Sequence, residues 1–250
     1  MKMRSFLAIA IVLGLTAYAQ ASTIVYDVNA NMLAREKSGT PSATFNQWTL
    51  GYKTVGADVS GCTVLDKHFS ETGYSGFSHE FEPTGYNNVY AAANTGSTAF
   101  NSTWTPGIIS GGVSNLSTYQ VFRWQSPGAG NVNIAATLQN YYFVGDQDVH
   151  IILGSATDGT TGTSLFTDYI CDPTHGSKNI VTYAGSSIAV TSGSVIDLVV
   201  GTGPSGDFGG DCFTVQNYQI SFTAVPEPSS IALIGSALVG LLAYAWRKRG

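Results

Sequence analysis

The chain has 250 residues, a formal net charge of −5, only 11% charged residues and 29 glycines. So few charges exclude an architecture of long amphipathic helices, whose solvent faces require them. The acidic balance excludes an electrostatic nucleic-acid binder, which needs a basic footprint.

At the N-terminus, Lys2 and Arg4 precede an apolar run over residues 6–18, and Ala17, Ala19 and Ala21 place small residues around a cleavage point. This pattern predicts a secretory signal peptide over residues 1–21, a short helix removed from the mature protein. The exported region, residues 22–224, then holds six Lys and Arg against 15 Asp and Glu, a balance of −9. Such a surface suits cation binding or plain solubility, the second being the simpler reading. Its length, about 200 residues, is ample for one all-β domain with a full core.

Residues 23–28 predict a first strand, and the polar stretch of Ala34, Arg35, Glu36 and Lys37 predicts a short helix or charged loop. Alternation around Trp48 and Leu50 predicts a strand over 46–52. Shorter strands at 79–82 and 88–92 flank the turn formers Pro83, Thr84 and Gly85. Up to Trp104 the spacing is irregular; beyond it, strands recur at 119–124, 131–139, 148–153, 164–170, 179–183, 187–190, 195–200 and 214–223. In 131–139, Val132, Ile134, Ala136 and Leu138 share one face and Asn131, Asn133 and Thr137 the other, the period of a half-buried strand. The fold expected is all-β, a two-sheet antiparallel β-sandwich.

Catalytic motifs are absent from the sequence: there is no Gly-x-Ser-x-Gly elbow, His-Glu-x-x-His helix or phosphate loop. No catalytic residue is assigned, and the chain reads as a non-enzyme. Glu80 and Glu82 would share a strand face about 7 Å apart, a separation within reach of paired glycosidase carboxylates. A secreted glycoside hydrolase is therefore a third reading, against a solvated strand edge. Asp146 with Asp148, and Asp207 with Asp211, offer oxygens for a structural calcium, but calcium takes six to eight and aspartates in glycine-rich turns cap backbone. No cofactor is assigned.

Trp48 and Trp124 lie inside strand patterns and read as core. Trp104, Tyr141 and Tyr142 lie at strand or loop ends, where aromatic faces can stack on sugar rings. Of the three cysteines, Cys171 and Cys212 are the expected disulfide, each in a loop beside a strand of the same half. Closing about 41 residues would stabilise by about 4 kcal/mol at most. Cys62 is then buried or paired between molecules.

The tail opens with Val225, Pro226, Glu227 and Pro228, continues in an apolar run over 231–246, and closes with Arg247, Lys248 and Arg249. At about 1.5 Å per residue that run is about 24 Å long, slightly short of a hydrocarbon core of about 30 Å. The expectation is a marginal transmembrane helix over 231–246. Arg247, Lys248 and Arg249 form a cytoplasmic stop and Trp246 an interfacial anchor, with Pro226 and Pro228 holding an extended segment above the membrane.

These tail residues resemble the PEP-CTERM sorting domain of bacterial exported proteins. The resemblance implies that Val225, Pro226, Glu227 and Pro228 are read by a membrane enzyme of the exosortase type. It also implies export across the inner membrane, transient anchoring and delivery to the cell surface or an exopolysaccharide matrix. A second resemblance rests on Trp124-Gln125-Ser126-Pro127, Gly130-Asn131-Val132-Asn133-Ile134, Gly145-Asp146-Gln147-Asp148-Val149 and Ser192-Gly193-Ser194-Val195-Ile196-Asp197. That succession is similar to jelly-roll modules of exported PEP-CTERM proteins, in plan like carbohydrate-binding modules. The function expected is a structural surface or matrix protein, with a carbohydrate-binding module as the alternative and no nucleic acid as partner.

Overall fold

The computed structural model describes residues 22–53, 62–80, 88–113, 118–141, 146–155, 162–171, 178–203, 212–225 and 228–248. Strand β1 (Thr23–Asp27) leads directly into helix α1 (Val28–Lys37), because Asp27 ends the strand and caps the helix, its carboxylate accepting the Ala30 N–H at 2.9 Å. The helix is longer than the four polar residues that suggested it. Val28 and Met32 are buried beneath it, and at its end Ser38 returns its N–H to the Arg35 carbonyl.

Fifteen strands follow the chain as β1, β2 (Thr44–Phe45), β3 (Trp48–Lys53), β4 (Thr63–Val64), β5 (Lys67–Glu71), β6 (Tyr74–Glu80), β7 (Asn88–Asn94), β8 (Ile109–Val113), β9 (Tyr119–Gln125), β10 (Gly130–Asn140), β11 (Gln147–Ser155), β12 (Thr163–Ile170), β13 (Ile180–Val190), β14 (Ser194–Thr202) and β15 (Cys212–Ala224), counted among the described residues. From β8 onward they alternate between two antiparallel sheets, except that β11 and β12 follow each other within the second, in the orders β8-β15-β10-β13 and β9-β14-β11-β12. That alternation is the double Greek-key order of a jelly roll. The earlier strands widen both sheets: β7, β6 and β5 extend the first beyond β8, and β3 with β2 and β4 extends the second beyond β9.

The core lies where the two inner faces meet. Strand β10 contributes Val132, Ile134, Ala136 and Leu138, with Asn131 and Asn133 outward as the alternation predicts. Ile196, Leu198 and Val200 of β14 face Tyr218, Ile220 and Phe222 of β15 in one apolar cluster. Trp48 and Trp124 are fully buried in it, Trp48 against Tyr218 and Trp124 against Phe222.

Several strand expectations change. The segments 179–183 and 187–190 are one strand, β13. The interval 184–186 left between them holds a bulge opposite Val132 and Ile134, where Ser187 has φ 55° and its N–H donates to Asn133 Oδ1 at 2.8 Å. Strands β2, β4, β5 and β8 have no counterpart in the expected strands, and β6 meets the expected 79–82 only at its last two residues; Gly73, at φ 91°, supplies the turn between β5 and β6.

Along one edge of β15, β8 pairs with residues Cys212 to Val215 and β1 with residues Gln219 to Thr223. Asn29 bridges the interval. Its amide donates to the Val215 carbonyl at 2.7 Å, and its oxygen accepts the Ile109 N–H at 3.2 Å. Asn29→Ala removes both bonds inside the protein and is expected to lower stability by about 2–3 kcal/mol, a loss that thermal melting will read.

Candidate functional site

The tail begins as soon as the sandwich ends. Ala224 pairs with Gly130, and the Val225 N–H donates to the Ala129 carbonyl at 3.1 Å. Helix α2 (Pro228–Arg247) then runs for 20 residues, which at about 1.5 Å per residue is about 30 Å. It starts three residues before the expected run because proline is tolerated at the first helical position, where its missing N–H would have no partner anyway. Val239, Leu241, Tyr244 and Trp246 are exposed along it, Arg247 ends it, and the Lys248 N–H returns to the Tyr244 carbonyl. Among the described residues no helix is long and apolar enough to cross a membrane. Pro226, Glu227 and Arg249 lie outside the described residues.

Both termini of the domain leave from one end of the sandwich. Thr23, the first residue of β1, pairs with Thr223 near the end of β15, and their hydroxyls are 2.8 Å apart. At the opposite end β3, β6, β8, β10, β12 and β14 finish and β7, β9, β11, β13 and β15 begin.

Three clusters of polar and ionisable side chains stand out. On the outer face of the second sheet, Asp197 takes a bidentate pair from Arg123, Nε to Oδ1 at 2.8 Å and Nη2 to Oδ2 at 2.7 Å, and Lys53 Nζ at 2.9 Å. The side chains of Lys53 and Asp197 are 1% and 0% exposed. Cys62 lies beside this group, and burial pushes its thiol up to about 11, which keeps it a neutral, unreactive thiol. At the mouth between the sheets, Tyr52 stacks on His79 and its hydroxyl lies 3.1 Å from Nε2, while His79 Nδ1 lies 2.9 Å from Asp66. The bond from His79 holds the Asp66 carboxyl below the usual aspartate range.

The third cluster lies on the outer face of the second sheet. Tyr119, Gly201, Asp148 and Tyr169 form one row across β9, β14, β11 and β12. Two residues along β11, His150 bridges Asp148 at 3.0 Å and Thr167 at 3.1 Å. Asp148 thus engages His150 through Oδ2, while its buried Oδ1 makes no hydrogen bond among the described residues, and the Asp146 backbone carbonyl accepts the Gly203 N–H. Among the described residues no three His, Cys, Asp or Glu side chains group to hold a metal ion. Asp207, Asp211 and Glu82 lie outside the described residues, as does the Glu80 side chain.

Trp104 and Tyr141 come together, their ring centroids 5.7 Å apart. Trp104, however, is only 7% exposed. Phe100 stacks on it at 4.5 Å, Tyr74 packs on both rings, and the indole N–H donates to the Ile108 carbonyl at 2.8 Å. The segment between β7 and β8 folds back over the first sheet, held by Asn94 and Asn101 to its own backbone and by Gln216 to the Thr103 carbonyl. The ring it presents outward is Phe100, 44% exposed. Tyr142 lies outside the described residues.

No disulfide is drawn among the described cysteines, Cys62, Cys171 and Cys212. Cys171 donates to Asn179 Oδ1 at 3.3 Å, and Cys212 accepts from the Tyr90 hydroxyl at 3.2 Å.

The described residues form an all-β sandwich whose last strand leads into a terminal helix. Residues 224–249 match the PEP-CTERM protein-sorting motif. The motif implies export, a membrane-anchored sorting step and processing by an exosortase. No curated protein matches the chain. Among solved structures it is similar to the xylan-binding module CBM15, at 8% identity and TM-score 0.35, covering 62% of this chain and 95% of that one. It is also similar to the CBM22-1 xylan-binding domain from Paenibacillus barcinonensis Xyn10C, at 7% identity and TM-score 0.32, covering 64% and 87%. A third is TmCBM61 in complex with beta-1,4-galactotriose, at 10% identity and TM-score 0.30, covering 69% and 86%. Similarity this low carries no argument about ligand.

Proposed function

We propose that the protein is a structural component of the cell surface or of an exopolysaccharide matrix, delivered there by its tail. In this reading α2 sits transiently in the inner membrane with Arg247, Lys248 and Arg249 on the cytoplasmic side, and an exosortase-type enzyme removes it. The observation that carries the reading is the sorting motif over residues 224–249, laid on a helix that begins at Pro228 directly after the last strand. A structural role is supported by Trp104, whose face is occupied by Phe100 and not offered to a sugar.

Carbohydrate binding is the second reading, favoured by the row of Tyr119, Asp148 and Tyr169 on one sheet face. Replacing Pro226 and Glu227 together by alanine is expected to leave the chain in the membrane fraction with its tail attached, as mass spectrometry of that fraction will show. Processing of this variant at the wild-type rate, or an intact tail on wild-type protein at the mature surface, contradicts delivery by the tail.

A further inference from the structure

We propose that β1 acts as a latch on the sorting signal: its pairing with the end of β15 keeps the segment ahead of Pro226 closed to the processing enzyme until that end unpairs. The inference rests on the reading of the tail as a processed sorting signal.

An enzyme that cleaves a peptide bond takes its substrate as an extended strand and pairs with the strand's free edge. Here the approach to the motif is already engaged: up to Thr223 both edges of β15 are paired, and at Ala224 and Val225 the β10 edge is. Thr223 is paired with Asn131 of β10 on one side and Thr23 of β1 on the other, and Ala224 is paired with Gly130. Val225 adds its own bond to Ala129. Gly130 tightens the clamp: a Cβ at that position would stand 2.5 Å from the Thr223 carbonyl oxygen and 2.5 Å from the Phe222 ring, so only glycine lets β10 come this close.

On the other side of the motif, Pro228 already belongs to α2. Among the described residues the last sheet bond is that of Val225, and Val225 to Pro228 can span at most about 11 Å. A cleft that grips several residues on each side of the scissile bond needs more extended chain than this. Unpairing Thr223, Ala224 and Val225 from β1 and β10 supplies it. The cleavage is ordinary acyl transfer, in which a water or amine adds to the carbonyl carbon and the tail departs as an amine.

When opening and closing are fast, cleavage tracks the population of the open state, so fixing the latch must slow tail removal. The Thr23 and Thr223 hydroxyls, 2.8 Å apart on directly opposed residues, mark where a disulfide fits. The full chain carrying Thr23→Cys and Thr223→Cys, expressed in a host with the processing enzyme and followed by pulse-chase, is expected to lose its tail about tenfold more slowly than either single variant. Reductant is expected to restore the rate. Inserting a four-residue Gly-Ser spacer after Val225 is expected to raise the rate and to abolish the effect of the disulfide. Equal rates for the oxidised double variant and the single variants overturn the latch while leaving sorting intact. Absence of any conversion in the wild type overturns both.

Discussion

Asp197→Ala is expected to lower the free energy of unfolding by about 3–5 kcal/mol, the cost of leaving buried charges without their counter-ion. The carboxylate is wholly buried and holds two cations, Arg123 through a bidentate pair and Lys53 through a single bond. Taking it away strands both in a region lined by Val121, Ile152, Val195 and Val199, where water cannot replace it. Lys53→Met is expected to cost much less. It removes one of two cations and leaves the planar Arg123–Asp197 pair complete, which is the stronger of the two contacts. Urea titration followed through Trp48 and Trp124 emission measures both. A loss below about 1 kcal/mol for Asp197→Ala would show that the group is solvated in solution.

Trp104→Ala is the other large expected effect, at about 3 kcal/mol or more, because it empties a ring site packed on three sides. Phe100 loses its stacking partner, Tyr74 and Tyr141 lose their edge contacts, and the Ile108 carbonyl loses its donor. A stability loss with unchanged retention on a polysaccharide affinity gel, normalised to folded protein, is the outcome expected of a structural tryptophan. Selective loss of retention in a fully folded Trp104→Ala variant would instead restore the sugar-stacking role. Loss of retention in Tyr119→Ala alone would move binding to the outer face of the second sheet.

The burial of Trp104 was not legible in the sequence, since it depends on a return of the chain over the first sheet that local pattern does not encode. What hides the ring is Phe100, four residues earlier, together with Tyr74 and Tyr141 from elements far apart in the chain. The strands from β9 onward were legible because inward and outward faces differ in polarity, as Val132 to Leu138 against Asn131 and Asn133 show, whereas β8 was not expected. Strand β5 was not, because Lys67-His68-Phe69-Ser70-Glu71 is an edge strand whose charges suit solvent and carry no apolar face. Helix α1 and the bulge in β13 were misjudged for one reason: a single side chain, Asp27 or Asn133, completes the backbone bonding where the pattern suggests an interruption.

The buried ion group did leave a signal. Arg123 lies within Val121-Phe122-Arg123-Trp124 and Asp197 within Val195-Ile196-Asp197-Leu198-Val199, opposite charges embedded in apolar strands. They are directly opposed across β9 and β14. Reading them as a pair required the register, which the jelly-roll order supplies and the sequence alone leaves open.

The position of β15 has a mechanical consequence. It is the strand that continues into the tail, and it is held by β10 along nearly its whole length and by β8 and β1 along its other edge. Hydrogen bonds between antiparallel strands run perpendicular to them, so tension drawn through the tail along β15 loads these bonds together in shear. Flow drag on the domain while it is tethered would then be shared across the sheet, whereas an enzyme lifting the end of β15 out of plane would break the same bonds one at a time.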